Sequence, residues 1–272
     1  SGRNAVDFRF SGVPHCDLVN HHRTLTDLAA VVRNGDLSAR EVVVEFLDRS
    51  RTHQPVLNAY TAIDERAVAK AELLDSSLAA GGDPGRLTGV PIAIKDLIDQ
   101  AGAITTAGSG FYRHRAKHSA TVVQRLEAAG AVIIGRTGLH EFAFGFSSEN
   151  HWFGPVRNPW DTTTSPGGSS GGSAVAAAAG LAAGGIGTDT GGSVRVPAAL
   201  CGLVGLKVTH GRVPLTGVFP LASSLDTAGP LGRSVDDVAA LYEILAGYDP
   251  EDSWSALRPV YQGGTGESLE GL

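Results

Sequence analysis

Two glycine-serine clusters, separated by a run of alanine and glycine, dominate the sequence between Ser165 and Pro197, which reads SPGGSSGGSAVAAAAGLAAGGIGTDTGGSVRVP. Glycine permits positive φ angles and close approach to the backbone, so each cluster is either a flexible linker or a turn that directs N–H groups at a ligand. A flexible linker is rich in Gly and Ser throughout. Here Ser173 to Ala179 favours a helix, and Asp189 and Arg195 place charges beside the second cluster. These features favour two ordered turns.

Length and composition describe a globular chain. Its 272 residues are 42% hydrophobic and 18% charged, which provides apolar material for one large domain or two small ones and argues against disorder. The formal net charge is -6, and the 22 Lys and Arg residues are spread along the chain. Because nucleic acids are held by clustered basic residues, we expect no directly bound nucleic acid and a small neutral or polar partner instead.

Cysteines and apolar stretches give no sign of a metal site or a membrane segment. Neither Cys16 nor Cys201 has a second Cys or a His at metal-ligand spacing, so we expect no metal and no cofactor, and Cys201 is predicted to be a buried free thiol. The stretch from Ala174 to Gly187 is too short to span a bilayer, and the N-terminus lacks a signal-peptide pattern. We therefore predict a cytoplasmic protein without membrane contact. The absence of methionine predicts a processed or partial chain.

The N-terminal part, residues 1–80, is predicted to be an irregular arm followed by a helical layer. Residues 1–22 show no sustained period, whereas apolar residues from Leu25 onward recur at helical spacing. Ser38 and Glu41 form a capping box that opens a second helix. A third helix is expected from Asp64 to Ala80, where Gly residues end it.

Short apolar runs alternate with helices in residues 85–250. Val90 to Ile94 and Ala131 to Gly135 are predicted to be buried strands on either side of a helix from Ser119 to Ala129. Strands separated by helices predict a parallel or mixed sheet in an α/β fold. The further expected elements are strands at Ile186 to Thr188 and Leu203 to Leu206 and a helix from Ser234 to about Gly247.

Lys95 and Ser193 are the candidate reactive residues. Lys95 directly follows the strand that ends at Ile94, and ligands in open α/β sheets lie outside the carboxyl ends of strands. A lysine there is either a surface charge paired with Asp96, or a desolvated amine that can act as a base. Ser193 follows two glycines whose backbone N–H groups can face an oxyanion, as acyl transfer requires.

A serine-histidine alternative has less support. The segment around Ser193 is not the G-x-S-x-G elbow of α/β hydrolases, because Arg195 stands where that motif has Gly. His140, His151 and His210 could supply a Ser-His-Asp arrangement, but none lies in a glycine-rich turn or beside an obvious orienting acid. We expect all three histidines to be structural.

Several segments together closely resemble the amidase signature family. They are GVPIAIKD at residues 89–96, SPGGSSGGSAVAAAAG at residues 165–180 and GTDTGGSVRVPAALCGLVGLK at residues 187–207, and the resemblance extends through GAVIIGRTGLHEFAFG, FGPVRNPWD and SLDTAGPLGRSVDD. It covers roughly residues 25–250 in the family's order. The resemblance implies a single domain with a mixed central β-sheet covered by helices on both faces.

The resemblance also implies the site residues. Ser193 matches the nucleophile, Ser169 matches a bridging serine that follows a cis Gly168-Ser169 peptide, and Lys95 matches the base. The implied oxyanion hole consists of the backbone N–H groups of Thr190, Gly191, Gly192 and Ser193, and the implied bracing residues are Ser170, Asp189 and Arg195.

Two functions remain open at this point. The first is a stand-alone amidase that cleaves a small or aryl amide through an acyl-enzyme, and the segments GLHEFAFG and SLDTAGPL favour it. The second is the amidase subunit of a glutamine-dependent tRNA amidotransferase, which passes ammonia to a partner. An inactive scaffold is disfavoured because all three triad positions are occupied. We expect a small-molecule amide as the partner of the site, with a second copy of the chain as a possible dimer partner.

The C-terminal residues 251–272 are predicted to be a junction to a missing part. Family members are usually longer, and periodicity is lost after Asp249, so we expect the sheet and the selectivity wall to be incomplete at the C-terminus. The expected entrance segments are Arg113 to Ser119, Phe142 to Trp152 and Val213 to Ser223.

Overall fold

The computed structural model describes residues 22–260, which contain the helices and strands below. The helices are α1 (Leu25–Arg33), α2 (Ala39–Leu57), α3 (Ala67–Ala79), α4 (Thr121–Ala128), α5 (Gly171–Ala178), α6 (Arg195–Cys201) and α7 (Val235–Leu245). The strands are β1 (Tyr60–Ile63), β2 (Pro91–Lys95), β3 (Ile104–Thr105), β4 (His114–Arg115), β5 (Val132–Thr137), β6 (Gly184–Asp189), β7 (Val204–Gly205) and β8 (Thr227–Gly232).

The first two helices begin at side-chain caps. The Thr24 hydroxyl accepts from the Asp27 N–H at the start of α1. The predicted capping box of α2 is confirmed, because Ser38 accepts from the Glu41 N–H and the Glu41 carboxylate accepts from the Ser38 N–H. Helix α3 starts later than the predicted Asp64, because the Asp64 N–H donates to the Ile134 carbonyl oxygen in β5 at 2.9 Å and so continues the pairing of β1.

A six-stranded mixed sheet forms the centre of the fold, in the order β1-β5-β2-β6-β8-β7. Strand β2 runs parallel to both β5 and β6, and the other pairs are antiparallel. The predicted fold class is confirmed, but β1 and β8 were not predicted as strands. Strand β1 lies within the segment assigned to a helical layer, and β8 contains Gly and Pro residues that disrupt a strand pattern.

Helices cover both faces of the sheet. Two adjacent glycines of β6, Gly184 and Gly185, face different helices. A Cβ on Gly185 would lie 2.7 Å from the Ser173 carbonyl oxygen in α5. A Cβ on Gly184 would lie 3.2 Å from Leu241 in α7. Successive residues of a strand point to opposite faces, so α5 and α7 pack on opposite sides. Seven of the eight α5 residues are buried, because the helix packs against strands β2, β5, β6 and β8 and against α6.

The carboxyl ends of the parallel strands place the polar residues together. Lys95 ends β2, Thr137 ends β5 and Asp189 ends β6, so these three residues lie at the same edge of the sheet. The segment Gly167 to Ser170 immediately precedes α5, whose first turn starts at this edge.

Some sequence-based expectations concern residues outside the described range. Residues 1–21 of the predicted arm over residues 1–22, Cys16, and the part of the predicted junction beyond residue 260 lie outside it. Cys201 is buried and free, as predicted, and burial raises the pKa of its thiol to about 12. Across residues 22–260, no helix combines the length and the apolar character needed to cross a bilayer. The same residues contain no grouping of three His, Cys, Asp or Glu side chains suited to a metal ion.

Candidate active site

Lys95 is fully buried at the end of β2, and its amine contacts two hydroxyl groups. The Nζ atom lies 2.7 Å from Ser169 Oγ and 2.8 Å from Thr188 Oγ1. Burial lowers the pKa of Lys95 to about 7, although the negative charges of Asp189 and Asp226 oppose this shift. An amine in this environment exchanges a proton near neutral pH, as a general base must.

The segment that carries Ser169 is held in place by backbone contacts. The peptide bond between Gly168 and Ser169 is cis, as the resemblance implied. A Cβ on Gly168 would lie 2.7 Å from the Ser148 backbone nitrogen, so the close approach of these two segments requires glycine. The Ser170 N–H donates to the Ser193 carbonyl oxygen at 3.1 Å, which ties this segment to the second glycine cluster.

Asp189 organises the second cluster. Its buried carboxylate accepts from the N–H groups of Gly192, Val194 and Arg195, and the Arg195 guanidinium donates to both of its oxygens at 3.0 Å. Burial alone would raise the pKa of Asp189, but hydrogen bonds from Arg195 and from the Val194 N–H hold the pKa below its ordinary value. The carboxylate therefore stays charged and fixes the turn that ends in Ser193.

The N–H groups of this turn differ in what they face. The Gly192 N–H, implied by the resemblance to be an oxyanion donor, donates instead to Asp189 Oδ1 at 2.8 Å. Gly192 has a φ of 142°, a conformation that glycine adopts readily, and this turns its N–H toward the carboxylate. The N–H groups of Thr190, Gly191 and Ser193 donate no hydrogen bond within residues 22–260. These three remain as candidate oxyanion donors.

Three residues at the site were not predicted from the sequence. Thr188 contacts the Lys95 amine, Asp226 accepts a hydrogen bond from the Thr190 hydroxyl, and Lys207 Nζ donates to the Asp189 carbonyl oxygen at 2.9 Å. All three lie within segments that carry the family resemblance, but the resemblance assigned them no role. Their contacts connect residues far apart in the chain, which no local pattern reveals.

A cavity of about 260 Å³ adjoins these residues. Thr188 and Asp226 lie in its wall, and most of the remaining wall comes from residues 215–223 and 251–254. Two of the predicted entrance segments contribute to this cavity. The segment Val213 to Ser223 contributes several residues, and the segment Phe142 to Trp152 contributes Ala143 alone. The third predicted segment, Arg113 to Ser119, contributes no residue to this cavity.

The three candidate histidines have other contacts. His140 Nδ1 lies 3.3 Å from Ser147 Oγ, His151 packs edge-on against Trp152, and His210 Nε2 lies 3.0 Å from the Ser223 carbonyl oxygen. None of these contacts involves Ser193. Among the described residues, the Lys95 amine contacts the Ser169 hydroxyl, whereas none of these three imidazoles forms a hydrogen bond with a candidate site residue.

Comparison with known proteins adds a family assignment to this geometry. A family model described as Amidase matches residues 41–271. The chain belongs to the Amidase family. The range that matches the Amidase family includes Lys95, Ser169 and Ser193.

Individual relatives agree with the family assignment. The chain is 46% identical, over 93% of its length, to a glutamyl-tRNA(Gln) amidotransferase subunit of Chromohalobacter salexigens. Its structure is similar to that of a vestigial protein complex related to an s-triazine catabolic enzyme, with a TM-score of 0.86, 42% identity and 88% of this chain covered. It is also similar to the peptide amidase of Stenotrophomonas maltophilia, with a TM-score of 0.84, 39% identity and 88% coverage.

The matches extend over only part of each relative. The chain covers 52% of the Chromohalobacter protein, 53% of the chain from the vestigial complex and 50% of the peptide amidase. The chain therefore spans about half the length of the Amidase family relatives that it matches.

These comparisons correct the prediction about partners. The sequence predicted a small-molecule amide as the partner of the site and a second copy of the chain as a possible dimer partner, and it left a partner subunit to the alternative function. This prediction is wrong, because the Chromohalobacter relative is named as one subunit of an amidotransferase and a structural relative was solved as a protein complex. Other proteins must be considered as partners of an Amidase family chain of this kind.

Proposed function

We propose that this chain hydrolyses a carboxylic amide through an acyl-enzyme on Ser193, with Ser169 as proton relay and Lys95 as base. The 2.7 Å contact between Lys95 Nζ and Ser169 Oγ carries the proposal, because it joins a base that titrates near neutral pH to the segment packed against Ser193. A serine hydroxyl is a weak nucleophile unless a neighbouring group takes its proton.

The attack step moves two protons in one direction. Ser193 Oγ forms a bond to the amide carbon while its proton passes to Ser169 Oγ, and the Ser169 proton passes to neutral Lys95. The carbonyl oxygen becomes an oxyanion that accepts from the free N–H groups of the turn over residues 190–193. Lys95 becomes an ammonium, with nearby Asp189 and Asp226 as its balancing charges.

The following steps return the protons. Lys95 protonates Ser169, which protonates the leaving nitrogen as the C–N bond breaks, so that ammonia or an amine leaves and an ester on Ser193 remains. A water molecule then attacks the ester carbon through the same relay and releases the acid. Each turnover consumes one amide and one water and regenerates neutral Lys95.

We infer that the amide belongs to glutamine and that the ammonia is passed to a partner protein, as in the amidase subunit of a tRNA amidotransferase. The 46% identity to a protein named as one subunit of such an enzyme supports this choice. A stand-alone amidase is the second candidate, and the 39% identity to a peptide amidase of very similar fold supports it.

The catalytic assignment predicts that Ser193→Ala loses turnover by at least about 10³-fold, because the other hydroxyl on the turn, that of Thr190, is hydrogen-bonded to Asp226. The measurement is ammonia release from glutamine, peptide amides and aryl amides by the full chain and by the variant. Ser76→Ala, which removes an exposed serine hydroxyl on α3 away from the adjoining cavity, is the control and should stay within a few-fold of wild type. Near wild-type hydrolysis by Ser193→Ala would remove the assignment.

The partner proposal has a separate test. Isolation of the chain from its native cells with its natural partners should yield a complex whose ammonia release from glutamine rises with tRNA and ATP. Equal activity on peptide or aryl amides by the chain alone, with no response to tRNA and ATP, would favour the stand-alone amidase.

A further inference from the structure

A second cavity has a volume of about 390 Å³, and Asp96, the residue that follows Lys95, contributes to its wall. It is enclosed by β1, by the segment that follows β2 and by the β3–β4 hairpin, and its wall includes none of Lys95, Ser169 and Ser193. Its volume falls in the range of sites that bind small organic molecules. The catalytic assignment gives this cavity no role.

The wall of this cavity carries an excess of positive charge. Four arginines line it, and two aspartates face them. Asp64 pairs with Arg66 at 2.8 Å, and buried Asp96 pairs with Arg136 at 2.9 Å, so these four charges cancel.

Two guanidinium groups are left over. Within residues 22–260, neither Arg113 nor Arg115 forms an ion pair, and Arg115 donates only to the Gly102 carbonyl oxygen, at 2.9 Å. Both arginines are exposed to solvent and accessible to a ligand. The cavity therefore offers two uncompensated positive charges in a protein whose net charge is -6.

The hairpin that presents Arg115 is fixed by several contacts. Arg115 pairs with Ile104 across the two strands. The hydroxyl of the neighbouring Thr105 donates to Asp99 at 2.6 Å and accepts from Arg136 at 2.8 Å. The backbone of Arg115 is thus linked, through strand β3, to the buried Arg136–Asp96 pair. These contacts fix the position of the Arg115 backbone at the cavity wall.

We propose that this cavity binds a phosphomonoester. A phosphomonoester carries between one and a half and two negative charges near neutral pH, which matches the two uncompensated guanidinium groups, and the guanidinium fork pairs well with phosphate oxygens. Ala103, Ile104 and Phe153 provide an apolar wall for the organic part of the ligand. The phosphate belongs either to a free nucleotide or to the 5′ end of an RNA.

Calorimetric titration of the full chain tests the site with adenosine monophosphate, adenosine and two short RNA oligonucleotides that differ only in a 5′ phosphate. We expect the monophosphate to bind and adenosine not to bind. If the natural source is an RNA end, the 5′-phosphorylated oligonucleotide should bind more tightly than both the monophosphate and its 5′-hydroxyl twin. If the source is a free nucleotide, the monophosphate should bind more tightly than either oligonucleotide.

The matched variants remove one positive charge at neighbouring positions. Arg115→Ala and Arg113→Ala should each weaken binding of the monophosphate by about ten-fold or more, since each removes charge-assisted hydrogen bonds. Lys117→Ala is the control, because Lys117 is exposed in the same segment but does not line the cavity. Thermal unfolding shows whether each variant is folded, and Arg115→Lys, which keeps the charge without the fork, should give an intermediate affinity.

Three results would overturn the proposal. They are equal binding of adenosine and its monophosphate, equal loss of affinity in Lys117→Ala and Arg115→Ala, and no detectable binding of any phosphate ligand by wild-type protein. Because Ser193 does not enter the measurement, these outcomes are independent of the proposed amide hydrolysis.

Discussion

At the scale of single residues, the contact between Thr188 and Lys95 bears on the proposed role of Lys95 as the base. A neutral amine has two N–H donors and one lone pair. Lys95 can take a proton from Ser169 only when that lone pair points at the Ser169 hydroxyl, so its N–H groups need acceptors elsewhere. Thr188 Oγ1, at 2.8 Å, is the other side-chain partner of Nζ among the described residues, and it is therefore placed to orient the amine.

This arrangement predicts different results for two substitutions of Thr188. Thr188→Val removes the hydroxyl at nearly constant volume and should lower kcat by roughly ten-fold, because the amine loses its orientation. The protonated amine also loses an acceptor, which lowers the pKa of Lys95 and moves the acid limb of the pH–rate profile to lower pH. Thr188→Ser keeps the hydroxyl and should keep both values near those of wild type. An unchanged profile in Thr188→Val would show that the contact does not orient the base.

At the scale of elements, the packing of α5 against β6 sets the distance between the two glycine clusters. A Cβ on Gly185 would lie 2.7 Å from the Ser173 carbonyl oxygen, and one on Gly187 would lie 2.6 Å from Ser170 Oγ. Side chains at these positions would push the helix away from the strand. The glycine-rich sequence of β6 thus permits close packing of the helix, whereas a Cβ on Gly191 in the turn over residues 190–193 would meet no atom within 4 Å.

A glycine pair tests this distinction. Gly185→Ala should destabilise the fold by about 1–3 kcal/mol, because the added methyl group meets a backbone oxygen that cannot move independently of α5. Gly191→Ala is the control: a Cβ there meets no atom within 4 Å, and its φ is not positive, so the free energy of unfolding should change little. Urea denaturation measures both variants, and equal stability of the two would contradict the packing explanation.

At the scale of the whole molecule, the buried lysine couples stability to pH. The pKa of Lys95 is about 7 in the folded protein and 10.5 as the ordinary value. Between these values the unfolded chain binds more protons than the folded protein, so the free energy of unfolding from this group rises with pH. Below about pH 7 both states are protonated, and the folded protein then holds a buried charge.

Lys95→Met should remove this dependence. Relative to the variant, wild-type protein should gain about 1 kcal/mol of unfolding free energy per pH unit between pH 7.5 and 9.5. The hydroxyl groups of Ser169 and Thr188 lose a partner in the variant at every pH. This loss therefore changes the free energy of unfolding by the same amount at each pH and leaves its slope with pH unchanged. The exposed Lys117→Met should keep the wild-type slope. Parallel curves for wild type and Lys95→Met would show that Lys95 is not neutral in the folded state.

Local sequence patterns by themselves predict several of the helices and strands of the fold. The capping box of Ser38 and Glu41, the apolar run before Lys95 and the helix-forming run after Ser173 each act within a few residues, so they can be read directly. The family resemblance supplied the three residues Lys95, Ser169 and Ser193, and it implied the cis peptide that the structure contains.

Only the tertiary structure decided how these pieces act together. Strand β1 forms because its backbone pairs with β5. The Gly- and Pro-containing β8 forms because its backbone pairs with β6 and β7. The Gly192 N–H faces Asp189, and Thr188 reaches Lys95 over 93 positions of sequence. Such contacts depend on which segments the packed sheet brings together. The sequence determines which chemical groups are present. Their burial, protonation and hydrogen-bond partners depend on tertiary packing, because the contacting residues are distant in the sequence.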